Sequence, residues 1–164
     1  LAKGKYILRV DADDMLSSNY IKIISKYLNK NYDFIFSNYE TINRDGDLIE
    51  QINLPEFSRE EILKRGDFLA TGTLYKSYLI SKFGGYETRI KNCGLENYEF
   101  IIKLLLNKCK SFRIPESLFY YRIHSNNLSR IKKKKIKDYG QEVFDKYNLG
   151  KYYQNKFHPY ARYQ

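Results

Sequence analysis

The stretch Tyr6-Ile7-Leu8-Arg9-Val10-Asp11-Ala12-Asp13-Asp14 decides how the chain is read. Tyr6 to Val10 is an apolar run of the length and composition of a short buried strand. Three carboxylates then arrive within four positions, where a strand should give way to a loop. Packing does not account for them, because charged groups are seldom buried unless paired or bound to a cation. If the segment stays extended, Asp11 and Asp13 point to the same side. Two hard oxygen donors at one strand end suit Mg²⁺ or Mn²⁺, above all a cation that also holds phosphate oxygens. The competing reading is a plain acidic turn.

Working outward, Ser17 and Ser18 are placed to cap a helix carrying Tyr20, Ile23, Ile24, Tyr27 and Leu28 on one face. Tyr32 to Ser37 reads as a second strand, and Asp45-Gly46 as a hairpin turn leading to a return strand from Leu48 to Ile52. Ser58, followed by Glu60 and Glu61, opens a short helix. Gly72 to Tyr75 reads as extended, Ser77 to Phe83 as helical, and Gly84-Gly85 as a break. Glu96 to Leu106 is a helix whose apolar residues cover most of its circumference, which implies deep packing. Ser111 to Ile114 and Leu118 to Ile123 read as two strands around Pro115, and Ile136 to Tyr147 as a last helix. Strands alternating with helices imply an α/β domain, in which ligands gather beyond the carboxyl ends of strands. The acidic tetrad lies at such an end.

The whole chain of 164 residues fits one domain, and 43 % hydrophobic residues suffice for a core. The net charge of +10 favours anionic partners. Lys132-Lys133-Lys134-Lys135 carries much of it, as solvated charge or as a contact for an anionic membrane. No nucleic-acid motif accompanies the charge, so nucleic acid is not an expected partner. Cys93 and Cys109 lack the spacing of a zinc or redox pair and read as reduced structural thiols. No apolar run approaches the roughly 20 residues of a membrane span.

The order of motifs resembles family 2 glycosyltransferases of the GT-A fold. Residues 2–14 are similar to the DxD region of that family. Lys82-Phe83-Gly84-Gly85-Tyr86-Glu87 is similar to its "GGFDE" turn before the acceptor site. Leu95-Glu96-Asn97-Tyr98-Glu99-Phe100 is similar to its "xED" segment, and Tyr121-Arg122-Ile123-His124 to its "YRxH" strand end. The resemblance implies a partial GT-A fold, a mixed sheet flanked by helices, beginning just before DxD and without the nucleotide-binding half that normally precedes it. It implies residues 1–130 as the metal-binding and acceptor half, with 131–164 as a basic, aromatic C-terminal helix and tail.

It further implies transfer of a sugar from a nucleotide-diphosphate sugar to an acceptor hydroxyl, assisted by Mn²⁺ or Mg²⁺. Asp11, Asp13 and His124 would serve the metal, and Asp11 and Arg122 the diphosphate. Asp14 reads as a supporting acid or a loop cap. Thr71, Gly72 and Thr73 read either as an acceptor-pocket wall or as a tight strand entry. The general base is expected at Asn97, where an amide cannot accept the proton. Glu96 is adjacent, but neighbouring side chains on a helix diverge by about 100°. Glu99 reads as solvated helix charge. The acceptor implied is a glycan, a lipid-linked sugar or a protein, and the location is cytoplasmic, with peripheral contact at the inner face of a membrane. Asn97 also supports another class, a non-catalytic binding or scaffolding module. A DxD phosphohydrolase is a remote third, since Met15 stands where Thr or Val is usual. A calcium EF-hand is excluded by Leu16 and Lys22 in place of its glycine and its final acid.

Overall fold

The computed structural model describes residues 2–66, 68–69, 71–89, 95–127 and 131–153, with the backbone alone at Arg65. Cys93 and residues 154–164 lie outside them. The chain divides into two compact units that interleave in sequence. The first comprises Leu1–Phe57, Leu69–Lys82 and Lys108–His124, and the second Ser58–Phe68, Phe83–Asn107 and Ser125–Gln164.

The first unit carries a six-stranded mixed sheet. Its strands are β1 (Tyr6–Leu8), β2 (Met15–Leu16), β3 (Phe34–Ile42), β4 (Leu48–Ile52), β5 (Leu74–Lys76) and β6 (Ser111–Arg122). The order is β1-β5-β3-β6-β2, with β4 also on β3. β3 runs parallel to β6 and antiparallel to β4 and β5. β3 is longer than Tyr32 to Ser37 because its edge is shared: Phe34 and Ile35 meet β5, while Tyr39 to Ile42 meet β4. The β3–β4 turn forms at Asp45-Gly46, and Gly46 adopts a positive φ of 100°.

Pro115 does not divide β6 into two strands. The register against β3 shifts on both sides of Asn38, and Asn38 Nδ2 donates to Pro115 O at 2.7 Å. A bulge thus absorbs the residue that lacks an N–H.

Helix α1 (Tyr20–Ile24) is shorter than its apolar pattern and passes into a 3-10 turn at Ser25–Tyr27. Its N-cap residue is Asn19, not Ser17 or Ser18, and no side chain caps it. Tyr20, Ile24, Ile35, Leu74, Ile114 and Leu118 form a buried core cluster beneath the sheet. Helix α3 (Ser77–Phe83) follows β5 directly.

The second unit carries α2 (Arg59–Arg65), α4 (Tyr98–Leu106) and α5 (Lys133–Lys146). Ser58 caps α2 by accepting the Glu61 N–H at 3.2 Å. α4 begins at Tyr98 rather than Glu96, and Tyr98, Phe100, Ile101, Ile102 and Leu104 are fully buried. Tyr98, Phe144 and Tyr152 form an aromatic cluster between α4, α5 and the segment after α5. Among the described residues no helix is long and apolar enough to cross a membrane.

Candidate functional site

The acidic tetrad is a closed turn rather than an extended end. Beyond β1 the chain stays tied to the residues before β5: Arg9 N–H donates to Thr73 O, Gly72 N–H to Arg9 O and Asp11 N–H to Thr71 Oγ1. Asp14 N–H then donates back to Asp11 O at 3.1 Å. Asp11 and Asp13 therefore have separate partners. Arg9 takes Asp11 in a bidentate pair, with both N–O distances 2.8 Å. Asp13 Oδ2 stands 2.9 Å from His124 Nε2.

Asp14 is the buried acid of the turn, only 8 % exposed. Thr71 Oγ1 donates to one of its oxygens at 2.6 Å, and Arg122 N–H to the other at 3.0 Å. Burial pushes its carboxyl up to about 6, with the neighbouring acids adding to the rise and the two hydrogen bonds opposing it. Thr71 and Thr73 are themselves buried, so they brace the turn rather than wall a pocket. Gly72 adopts φ +77°, and a Cβ there would lie 2.7 Å from the Phe119 ring. The small residue is thus demanded by the strand entry.

Arg122 ends β6 as a staple. Its Nε donates to Asp13 O, and its Nη1 to Asn43 O and Arg44 O, all within 3.0 Å. This binds the acidic turn to the β3–β4 turn and directs those N–H groups to protein carbonyls.

Of the three residues expected at a metal, the structure brings Asp13 and His124 together and sends Asp11 to Arg9. Among the described residues no three His, Cys, Asp or Glu side chains gather as a metal site. The donor chemistry of the pair nonetheless fits Mg²⁺ or Mn²⁺. Such ions are commonly held by one or two carboxylates plus substrate phosphates, and Mn²⁺ accepts imidazole.

In the second unit, Gly84 and Gly85 take consecutive positive φ values of 87° and 66°, which reverse the chain after α3. Glu87 N–H donates to Glu96 O at 2.8 Å, joining this turn to the segment before α4. Arg89 grips Glu87 through Nε, Nη2 and its backbone N–H, and holds that carboxyl down to about 2. Glu96 is half-buried and Asn97 buried at the N-cap position of α4. Asn97 already has helical backbone angles, φ −86° and ψ −13°, and Tyr98 N–H closes a turn on Leu95 O at 3.0 Å, so the expected divergence of Glu96 from Asn97 holds.

A cavity of about 390 Å³ is lined by residues 84–89 with Glu99, Lys103 and Lys146. Glu99 is not a solvated helix charge, being 5 % exposed. Lys146 Nζ and Tyr147 OH contact its Oε1 at 2.8 and 2.9 Å, and Lys103 stands at 3.4 Å. Burial raises its carboxyl, but Lys146, Tyr147 and Lys103 prevail and hold it below the ordinary value. Tyr147 is pushed up to about 12 by burial and by Glu99. The sequence carried a signal for this. A helix apolar around most of its surface leaves no solvated face for an acid, and Lys103 lies one turn on from Glu99.

No protein-family model matches the chain. It is 30 % identical, over 166 residues, to the uncharacterized glycosyltransferase MJ1057 of Methanocaldococcus jannaschii, across 96 % of this chain and 54 % of that protein. The chain thus spans about half the length of the curated relative it matches. In fold it is similar to S. aureus TarS (residues 1-349) in complex with UDP-GlcNAc, with TM-score 0.60, 14 % identity, and coverage of 88 % of this chain and 44 % of that one. The same protein in complex with UDP gives TM-score 0.57 at 15 % identity, over 88 % of this chain and 48 % of that one. The chain is a homologue of a glycosyltransferase by sequence, and its mixed α/β fold is that of TarS.

Proposed function

We propose that the chain is the metal-binding and acceptor part of a family 2 type glycosyltransferase that moves a sugar from a nucleotide-diphosphate sugar to an acceptor hydroxyl. The observation that carries this reading is the approach of His124 to Asp13, residues 111 apart in sequence. Those residues would hold Mn²⁺ or Mg²⁺, which supplies charge neutralisation to the departing nucleoside diphosphate. Asp11 supports the turn from its pairing with Arg9, and Arg122 fixes the Asp13 backbone. TarS is described with UDP-GlcNAc, so a UDP-sugar is the first donor to test. In this division residues 1–130 bind metal and acceptor, and 131–164 form the basic C-terminal part. The exposed Lys133, Lys134 and Lys135 opening α5 suit the inner face of an anionic membrane.

The acceptor hydroxyl must lose its proton as its oxygen forms the new glycosidic bond and the bond from sugar to diphosphate breaks. In this reading Glu96, next to the amide of Asn97 that stands where the family resemblance expects the base, is the candidate to take that proton. A non-catalytic binding module is the second reading, favoured by Asn97 in the position of the base. Calorimetry with nucleoside diphosphates, with and without Mn²⁺, tests the first. Metal-dependent binding that disappears in Asp13→Ala and weakens in His124→Ala supports it, and binding indifferent to both refutes it. A large gain of sugar transfer in Asn97→Asp would show a site lacking only its base.

A further inference from the structure

The cavity of the second unit sets three cationic side chains, Arg89, Lys103 and Lys146, against two carboxylates, Glu87 and Glu99. Arg89 and Glu87 pair with one another: Nε and Nη2 both donate to Glu87 Oε2, and the Arg89 backbone N–H donates to Oε1. Glu99 alone faces both ammonium groups. One carboxylate cannot neutralise two ammoniums, so a positive charge stays at the cavity wall. The buried position of Glu99 fixes where that charge stands. Lys146, whose side chain is 54 % exposed, reaches Glu99 from the open side, and Lys103 is held further by Phe83 O at 2.9 Å.

The glycine turn leaves the same wall bare of side chains. A Cβ on Gly84 would stand 4.0 Å from Lys103 Nζ, within the space beside the ammonium. Backbone and ammonium are therefore both open to a ligand. An ammonium pair of this kind, in a polar cavity with a bare backbone edge, matches a phosphate or carboxylate.

We propose that this cavity receives an anionic group, a phosphate or a carboxylate, carried by the glycan acceptor. The inference rests on the acceptor reading above and deepens it, because a neutral sugar alone would leave the ammonium charge unanswered.

The test is a ¹⁵N-NMR titration of the chain with glucose, glucose 6-phosphate and glucuronate. Glucose 6-phosphate, glucuronate or both should shift the amides of Gly84, Gly85 and Thr88 at millimolar concentration, and glucose should not. The arm that responds names the group. Lys146→Gln should weaken the response about tenfold, as loss of one charge-assisted contact does, and Lys146→Arg should retain it. Arg89→Gln serves as a second variant: it removes a cation and leaves the Glu87 carboxylate unanswered at the cavity, so it should weaken the anion response too, and an unchanged response would count against the proposal. Equal shifts from glucose and both anions, an unchanged titration in Lys146→Gln, or shifts confined to Lys132 to Lys135 would overturn the proposal. Failure of the donor reading is seen separately. Mn²⁺ then leaves the amides near Asp13 and His124 unbroadened while the anions still shift Gly84 and Gly85.

Discussion

Replacing Thr71 by valine tests whether the acidic turn is built around a buried carboxylate. Valine keeps the shape and removes one hydroxyl that is fully buried. That hydroxyl donates to Asp14 at 2.6 Å and accepts the Asp11 N–H at 3.0 Å. Above pH 6 Asp14 is ionised, and losing a bond to a charged acceptor costs about 1.5–3 kcal/mol. The unpaired Asp11 N–H adds about 1 kcal/mol. At pH 4.5 Asp14 is protonated in the folded chain, since its carboxyl is raised to about 6. The bond then joins neutral groups, worth about 0.5–1.5 kcal/mol. The penalty of Thr71→Val should therefore be roughly 1–2 kcal/mol larger at pH 8 than at pH 4.5.

The sign follows from linkage. An acid whose folded value is raised binds its proton more tightly when folded, so its contribution falls as pH rises from about 3.8 to about 6. For Asp14 the fall is roughly 3 kcal/mol, two units at 1.36 kcal/mol each. Thr71→Val removes an opposing hydrogen bond, moves the carboxyl further up and extends the fall to higher pH. Asp14→Asn cannot titrate and should erase that part of the slope. Urea unfolding of the three proteins at pH 4.5, 6 and 8 measures both effects. Equal Thr71→Val penalties across that range, or an Asp14→Asn slope identical to the parent's, would refute the reasoning.

Gly72→Ala should destabilise the chain by about 2–3 kcal/mol in urea unfolding, since it adds left-handed strain and a methyl against Phe119. Arg122→Lys should cost about 1–3 kcal/mol and speed amide exchange around Asp13 and Asn43, because one ammonium cannot serve three carbonyls in the geometry of a guanidinium. Glu99→Gln should cost about 1–3 kcal/mol at pH 7, a figure kept modest because Lys146 is partly exposed. Its acid limb should also be shallower. Glu99 is held below its ordinary value, so its contribution is present above about pH 4.5 and is lost as pH falls through the lower folded value. An unchanged acid limb in Glu99→Gln would show that Lys146 and Tyr147 do not hold the carboxylate.

The elements that local chemistry controls were legible in the sequence. Ser58 capping α2, Asp45-Gly46 turning β3 into β4 and the apolar coat of α4 each depend on neighbours a few residues away. The failures share a different cause. Pro115 read as a strand break, and only Asn38, 77 residues distant, makes it a bulge. The α1 pattern extended to Leu28, but packing of Tyr27 and Leu28 against the core cluster is met equally well by a tighter turn. At the site, the approach of His124 to Asp13 was foreseen only through a family resemblance, because a histidine beside Ser125 has no local mark of its partner.

The two buried acids sharpen that point. Asp14 and Glu99 are 8 % and 5 % exposed, yet their proton affinities move in opposite directions. Burial presses both upward. Asp14 is answered by a hydroxyl and a backbone N–H, which carry no net charge and leave desolvation ahead. Glu99 is answered by two ammoniums and a phenol, which overcome it. The deciding partners lie 57 and 108 residues away for Asp14; for Glu99, Lys146 and Tyr147 lie 47 and 48 residues away and Lys103 one helical turn on. Sequence neighbours thus mark only part of the answer: Lys103 for Glu99, and nothing for Asp14 beyond the adjacent acids. The consequence for function is specific. Asp14 is a brace that takes up a proton near pH 6 and Glu99 is held as an anion, so under the proposed transfer neither is the base, and the candidates to test are Glu96 and an acid introduced by Asn97→Asp.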